Sequence, residues 1–146
     1  MHPFPHRYRA QAAAGPDDEV SLSSAGLAAI ASMPPIEFDG PGDRWSPETL
    51  LCASLADCLL MTFRVVARLS KLPWLSLEIE VEGLLEREQG NSRFTAFTID
   101  ARLRVPAGTD LALAERALHK AEAGCLISNS LVGRRELRPT IETVPA

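Results

Sequence analysis

Ser46-Pro47-Glu48-Thr49-Leu50-Leu51-Cys52-Ala53-Ser54-Leu55-Ala56-Asp57-Cys58 is the stretch whose reading decides the fold. Serine is a preferred helix N-cap, proline fits the first helical position where no donor is needed, and Glu48 complements the positive end of the helix dipole. From there to about Ser70 the chain is apolar on nearly every face, with Leu50, Leu51, Leu55, Leu59, Leu60, Met61, Phe63, Val65, Val66 and Leu69. A helix apolar all round is a buried one. Its roughly 24 residues would extend about 36 Å, more than a compact chain of this size covers alone. The pattern over residues 46–70 therefore predicts a long central helix wrapped by a homodimer.

Upstream, residues 1–45 read as extended pieces and a loop. Tyr8 to Ala14 and Glu19 to Ser23 are joined by the turn signal Gly15-Pro16-Asp17-Asp18 and followed by Gly26 to Ser32, which suits a small antiparallel meander. The segment from Met33 to Gly42 holds three prolines and two glycines and is expected to carry no regular structure. Downstream the period changes. Leu75, Leu77, Ile79 and Val81 alternate with Ser76, Glu78, Glu80 and Glu82, and after a turn around Gln89-Gly90-Asn91, Ile99, Ala101, Leu103 and Val105 alternate with Asp100, Arg102 and Arg104. Residues 74–105 thus form a half-exposed β-hairpin with acids facing arginines. Residues 109–131 carry a second helix, capped by Thr109 or Asp110, with Leu111, Ala114, Ala117, Leu118 and Ala121 on one stripe. Gly124 is placed for a left-handed C-terminal residue, Cys125 begins a further helical turn, and residues 136–144 read as a last strand.

The chain has 146 residues, 46% of them apolar, which suits one domain with a single core. Net charge is −4, and the basic residues are scattered among acids, so nucleic acid is not an expected partner. The N-terminus Met1-His2-Pro3-Phe4-Pro5-His6-Arg7-Tyr8-Arg9 lacks the apolar run of a signal peptide, and Asp57, Arg64 and Arg68 interrupt the longest apolar stretch. The expectation is a cytoplasmic protein with no membrane span. Three cysteines, an odd number, argue for thiols held reduced.

Cys52 and Cys58 are separated by about 600° of helical rotation, so their sulfurs point roughly 120° apart and about 9 Å apart along the axis. They cannot bridge, since bridged Cα atoms lie within ~7 Å, and Cys52 is assigned to core packing. Cys125, in Ala123-Gly124-Cys125-Leu126-Ile127-Ser128-Asn129-Ser130, opens a helical turn whose free N–H groups suit a thiolate. A structural zinc site is excluded: there is no Cys-x-x-Cys, and His119 is the only histidine outside the N-terminal tail.

The run from Phe38 to Leu51, with Cys58 ten residues after Glu48, resembles the OsmC/Ohr family, whose helix opens with Asn/Ser-Pro-Glu and carries a reactive cysteine at this spacing. Gly124-Cys125-Leu126-Ile127-Ser128-Asn129 is similar to that family's second-cysteine motif, with Leu126 where proline is common. The order of elements fits over nearly the whole chain. The resemblance implies an α+β domain of OsmC type, an antiparallel sheet around a long buried helix, in an intertwined homodimer with sites at the subunit interface. It also implies a thiol peroxidase acting on organic or lipid hydroperoxides without metal or other cofactor. In that role Cys58 is the peroxidatic thiol and Cys125 the resolving one, and an external dithiol, in some members a protein-bound dihydrolipoyl group, reduces the disulfide. Side chains such as Leu55, Met61 and Phe63 would supply an apolar pocket. Glu48 would orient a cation, and because it lies about 15 Å along the helix from Cys58 it would serve the partner chain's thiol.

The family's N-terminal arginine is missing from the matching stretches Ala14-Gly15-Pro16-Asp17 and Ile36-Glu37-Phe38. Arg44 is the nearest substitute, ahead of Arg7 and Arg9. The loss leaves two other readings of the same fold: a noncatalytic protein binding a small apolar or electrophilic ligand at the dimer interface, and a thiol-based redox sensor.

Overall fold

The computed structural model describes residues 2–145, which fall into two units divided after Leu50. In the first, β1 (Gln11–Ala13), β2 (Val20–Ser23) and β3 (Ile30–Ser32) form the expected antiparallel meander in the order β1-β2-β3. The strands are shorter than the extended stretches in the sequence, in keeping with the weak strand preference of alanine and glycine. The proline-rich segment differs from expectation, since Ile36–Phe38 closes one 3-10 turn. Prolines bound such a segment but leave room for a turn this short.

The helix α1 spans Pro47–Leu69, close to the predicted 46–70. Ser46 and Thr49 cap it reciprocally: the Thr49 N–H donates to Ser46 Oγ at 3.2 Å, and the Ser46 N–H donates to Thr49 Oγ1 at 2.9 Å. Only one stripe is buried, namely Leu55, Leu59, Phe63, Val66 and Ala67, while Met61, Val65 and Leu69 lie open. One chain supplies partners for one face, and the expectation of a helix buried all round belongs to the homodimer. By length and composition α1 could cross a membrane, but its buried stripe belongs to the core of the second unit.

In that second unit β4 (Ser76–Glu88) and β5 (Asn91–Pro106) pair as the predicted hairpin. Their two-residue turn places Gln89 at φ 50° and Gly90 at φ 85°, left-handed at both positions, as the twist of such hairpins demands. Acids and arginines meet across the outer face, with Glu78 near Arg102 at 3.9 Å and Arg102 near Glu142 at 3.7 Å. These exposed pairs contribute at most about 1 kcal/mol each. The next helix, α2, covers Leu111–Gly124, and the Asp110 side chain caps it by accepting from the Leu113 N–H at 3.0 Å. A short helix, α3, follows at Leu126–Ser130, and the last strand, β6, runs from Arg134 to Val144.

Two expectations give way here. The sheet is not wholly antiparallel: β6 runs parallel to β5, because α2 and α3 form the crossover that returns the chain to the same end. Gly124 is not left-handed; it is the last residue of α2. The chain leaves the helix in extended conformation at Cys125, and the carbonyls that a left-handed cap would satisfy find other donors. The Cys125 N–H reaches Glu122 O at 3.1 Å and Asn129 Nδ2 reaches Ala123 O at 3.0 Å.

The core joins Leu55, Leu59 and Phe63 of α1, Leu77, Phe97, Ile99, Leu103 and Val105 of the hairpin, and Ala114, Ala117, Leu118 and Ala121 of α2. Cys125 lies in this cluster with no exposed surface.

Candidate active site

Cys58 and Cys125 come together. Position 58 is on α1, one turn before Thr62, and the chain between α2 and α3 brings Cys125 near it, close enough for each thiol to shift the other's proton affinity. Cys58 is half-buried and Cys125 wholly so. Burial raises the Cys58 thiol, but donors converging on its sulfur outweigh burial and leave it below the ordinary thiol value. They are the Ile127 N–H, the Cys125 thiol, the Leu126 N–H and the Thr62 hydroxyl. Thr62 also donates to the Cys58 carbonyl at 2.8 Å, and one hydroxyl proton serves only one acceptor at a time. Cys125 is pushed the other way, to about 11, chiefly by burial and further by its hydrogen bond to Cys58 and that sulfur's charge, against the opposing donation of the Ser128 N–H at 3.4 Å. The pair is therefore asymmetric. Cys58 ionises first, and Cys125 keeps its proton and donates it.

The remaining predicted residues lie elsewhere. Cys52 packs against the hairpin at Gly83, where a Cβ would stand 3.1 Å from its sulfur and 2.8 Å from the Phe94 ring. Burial raises that thiol, with a partial offset from the Gly83 backbone. Leu55 and Phe63 are core residues on the inward stripe with Leu59, whereas Met61 is open. In the first unit Arg44 donates from Nε to Glu19 Oε2 at 3.0 Å and lies 3.1 Å from Asp43 Oδ2. No hydrogen bond joins it to Glu48 among the described residues. Glu48 has one buried oxygen, Oε2, with no hydrogen-bond partner among those residues.

Reasoning from sequence missed Ser128, Glu122 and Arg135. Ser128 is fully buried, and its hydroxyl donates to Glu122 Oε1 at 2.8 Å. Arg135 Nε donates to the same oxygen at 3.1 Å. The signal was strand parity: position 135 falls on the side of β6 that carries Leu137 and Ile141, but a strand begun at residue 136 hides it. Among the described residues, no cluster of three or more metal-ligating side chains occurs.

Comparison with known proteins places this geometry in context. Residues 40–141 match the family model described as OsmC-like protein. The uncharacterized protein YmaD of Bacillus subtilis is 29% identical over 130 residues, 84% of this chain and 83% of that protein. An OsmC-like protein of unknown function from Vibrio cholerae superposes with a TM-score of 0.84 at 17% identity, covering 93% of this chain and 100% of the other. An organic hydroperoxide resistance protein OsmC from Legionella pneumophila superposes with a TM-score of 0.75 at 23% identity, covering 96% and 99%.

Proposed function

Because the chain belongs to the OsmC-like protein family, we propose that it is a thiol-dependent peroxidase that reduces organic hydroperoxides through Cys58 and Cys125. The observation that carries this reading is the asymmetric sulfur pair, an acidic half-exposed thiol in contact with a buried protonated one. The Cys58 thiolate attacks the terminal oxygen of the hydroperoxide; the S–O bond forms as O–O breaks, and the alkoxide takes a proton from water and leaves as alcohol. The Cys125 thiol then gives up its proton, its sulfur displaces hydroxide from the Cys58 sulfenic acid, and a disulfide and water result. An external dithiol restores both thiols. The organic hydroperoxide resistance protein of Legionella pneumophila, similar in fold, is consistent with this chemistry.

The working unit on this reading is a homodimer. Met61, Val65 and Leu69 form an open apolar stripe that follows Cys58 along α1, and Leu126 is exposed beside Cys125. A second copy over that stripe would enclose the thiol in apolar surface suited to alkyl or lipid hydroperoxides. Glu48, whose Oε2 has no hydrogen-bond partner among the described residues, is read as orienting a cation across the dimer. Sedimentation at micromolar concentration is expected to give twice the chain mass, and a monomer would remove this part of the reading.

One observation favours the stoichiometric sensor: the groups lowering Cys58 are neutral donors, with no arginine among them. Oxidation of the reduced protein by cumene hydroperoxide, followed first through a single turnover and then with excess dithiol, separates the two. Rapid loss of both thiols, regenerated by a dithiol over many cycles, is the peroxidase; slow oxidation with no sustained turnover is the sensor.

A further inference from the structure

The five-residue helix α3 is too short to hold itself, since isolated helices need roughly 12 residues or more to be even marginally stable. Its placement must come from tertiary bonds, and one ion pair supplies two of them. Glu122 Oε1, in the last turn of α2, accepts from Ser128 Oγ at 2.8 Å and from Arg135 Nε at 3.1 Å. The other arm of the Arg135 guanidinium donates from Nη1 to the carbonyl of Leu131, the residue that closes α3, at 3.1 Å. The short helix is thus tied at its middle through Ser128 and at its end through Leu131. The Glu122 and Arg135 side chains are 23% and 29% exposed, so solvent screens their pair less than the ion pairs on the sheet's outer face. From the same segment, the Ser128 N–H donates to Cys125 Sγ at 3.4 Å, and the amides of Leu126 and Ile127 favour the thiolate of Cys58.

We propose that Glu122 and Arg135 are positioning residues for the thiol pair: through Ser128 and the Leu131 carbonyl, their ion pair fixes the 125–128 backbone that carries Cys125 and the amide bonded to its sulfur. The inference rests on Cys58 being the reacting thiol, but its test needs no peroxide. Neither side chain acts on Cys58 directly; the donors that reach its sulfur come from Thr62 and from residues 125–127.

Alkylation of the full-length reduced protein by iodoacetamide as a function of pH, with fragment-ion mass spectrometry separating Cys58 from Cys52 and Cys125, reads the Cys58 midpoint. Glu122→Met and Arg135→Met are each expected to raise it by about one pH unit, roughly a tenfold loss of thiolate at neutral pH. A charge acting through space would shift the two variants in opposite directions, Glu122→Met downward. Opposite signs, or an unchanged midpoint in folded variants, would overturn the proposal. Ser128→Ala cuts only the hydroxyl link and keeps the amide; a smaller rise of the same sign is expected, and this variant decides the matter if either ion-pair variant fails to fold. Arg138→Met, which breaks an exposed pair with Glu136, controls for loss of a positive charge and should leave the midpoint unchanged. If the wild type proves inactive toward hydroperoxides but these shifts appear, the positioning role stands and the peroxidase reading falls.

Discussion

Cys58→Ser is expected to slow oxidation of the protein by cumene hydroperoxide at least about 1,000-fold, because a serine hydroxyl stays protonated where a thiol yields its thiolate. Cys125→Ser should behave differently. The serine hydroxyl still donates to Cys58, so the first oxidation keeps its speed, but no second sulfur is available and the protein stops as a sulfenic acid that dimedone traps. Counting thiols before and after a single turnover gives loss of two in the wild type, loss of one in Cys125→Ser, and no rapid loss in Cys58→Ser. Equal rates in wild type and Cys58→Ser would sink the peroxidase reading and leave ligand binding as the function to pursue. Swapped phenotypes would assign attack to Cys125, against its burial and its high proton affinity.

The place of Cys58 on α1 was legible in the sequence, and the reason is local, whereas the pairing of Cys58 with Cys125 was implied only by the family resemblance. Ser46, Pro47 and Glu48 write the start of α1 in three adjacent residues, and a helix of known pitch then fixes where Cys52 and Cys58 point relative to each other. The hairpin declares itself by alternation, and Asp110 by its position before an amphipathic run. What stayed hidden depends on contacts between distant segments. That β6 lies parallel to β5 follows from the route of the crossover, which no local pattern records. Gly124 looked like a left-handed cap because glycine usually is one, yet Asn129 and Cys125 satisfy the carbonyls instead. Glu122 and Arg135 are separated by 13 residues and meet only after α3 and the start of β6 have folded back, so their partnership cannot be read along the chain.

The same separation of levels predicts a variant that weakens the fold and spares the chemistry. Phe63 has no exposed surface and packs edge-on against Trp74, ring centroids 5.4 Å apart at 83°. Phe63→Ala removes that contact and opens a cavity in the core of the second unit, at a cost of about 3–5 kcal/mol. With a urea dependence near 2 kcal/mol per molar, the unfolding midpoint should fall by about 2 M. Phe63 lies five residues beyond Cys58, about 140° away around α1, and contributes none of the donors that reach the sulfur. In the folded variant, below the new midpoint, the pH dependence of Cys58 alkylation should therefore match wild type. A midpoint lowered by less than about 0.5 M would mean that the core relaxes around the loss. A shifted alkylation profile with intact folding would mean that core packing, and not the Glu122–Arg135 tie alone, holds the amides of residues 126 and 127 against Cys58.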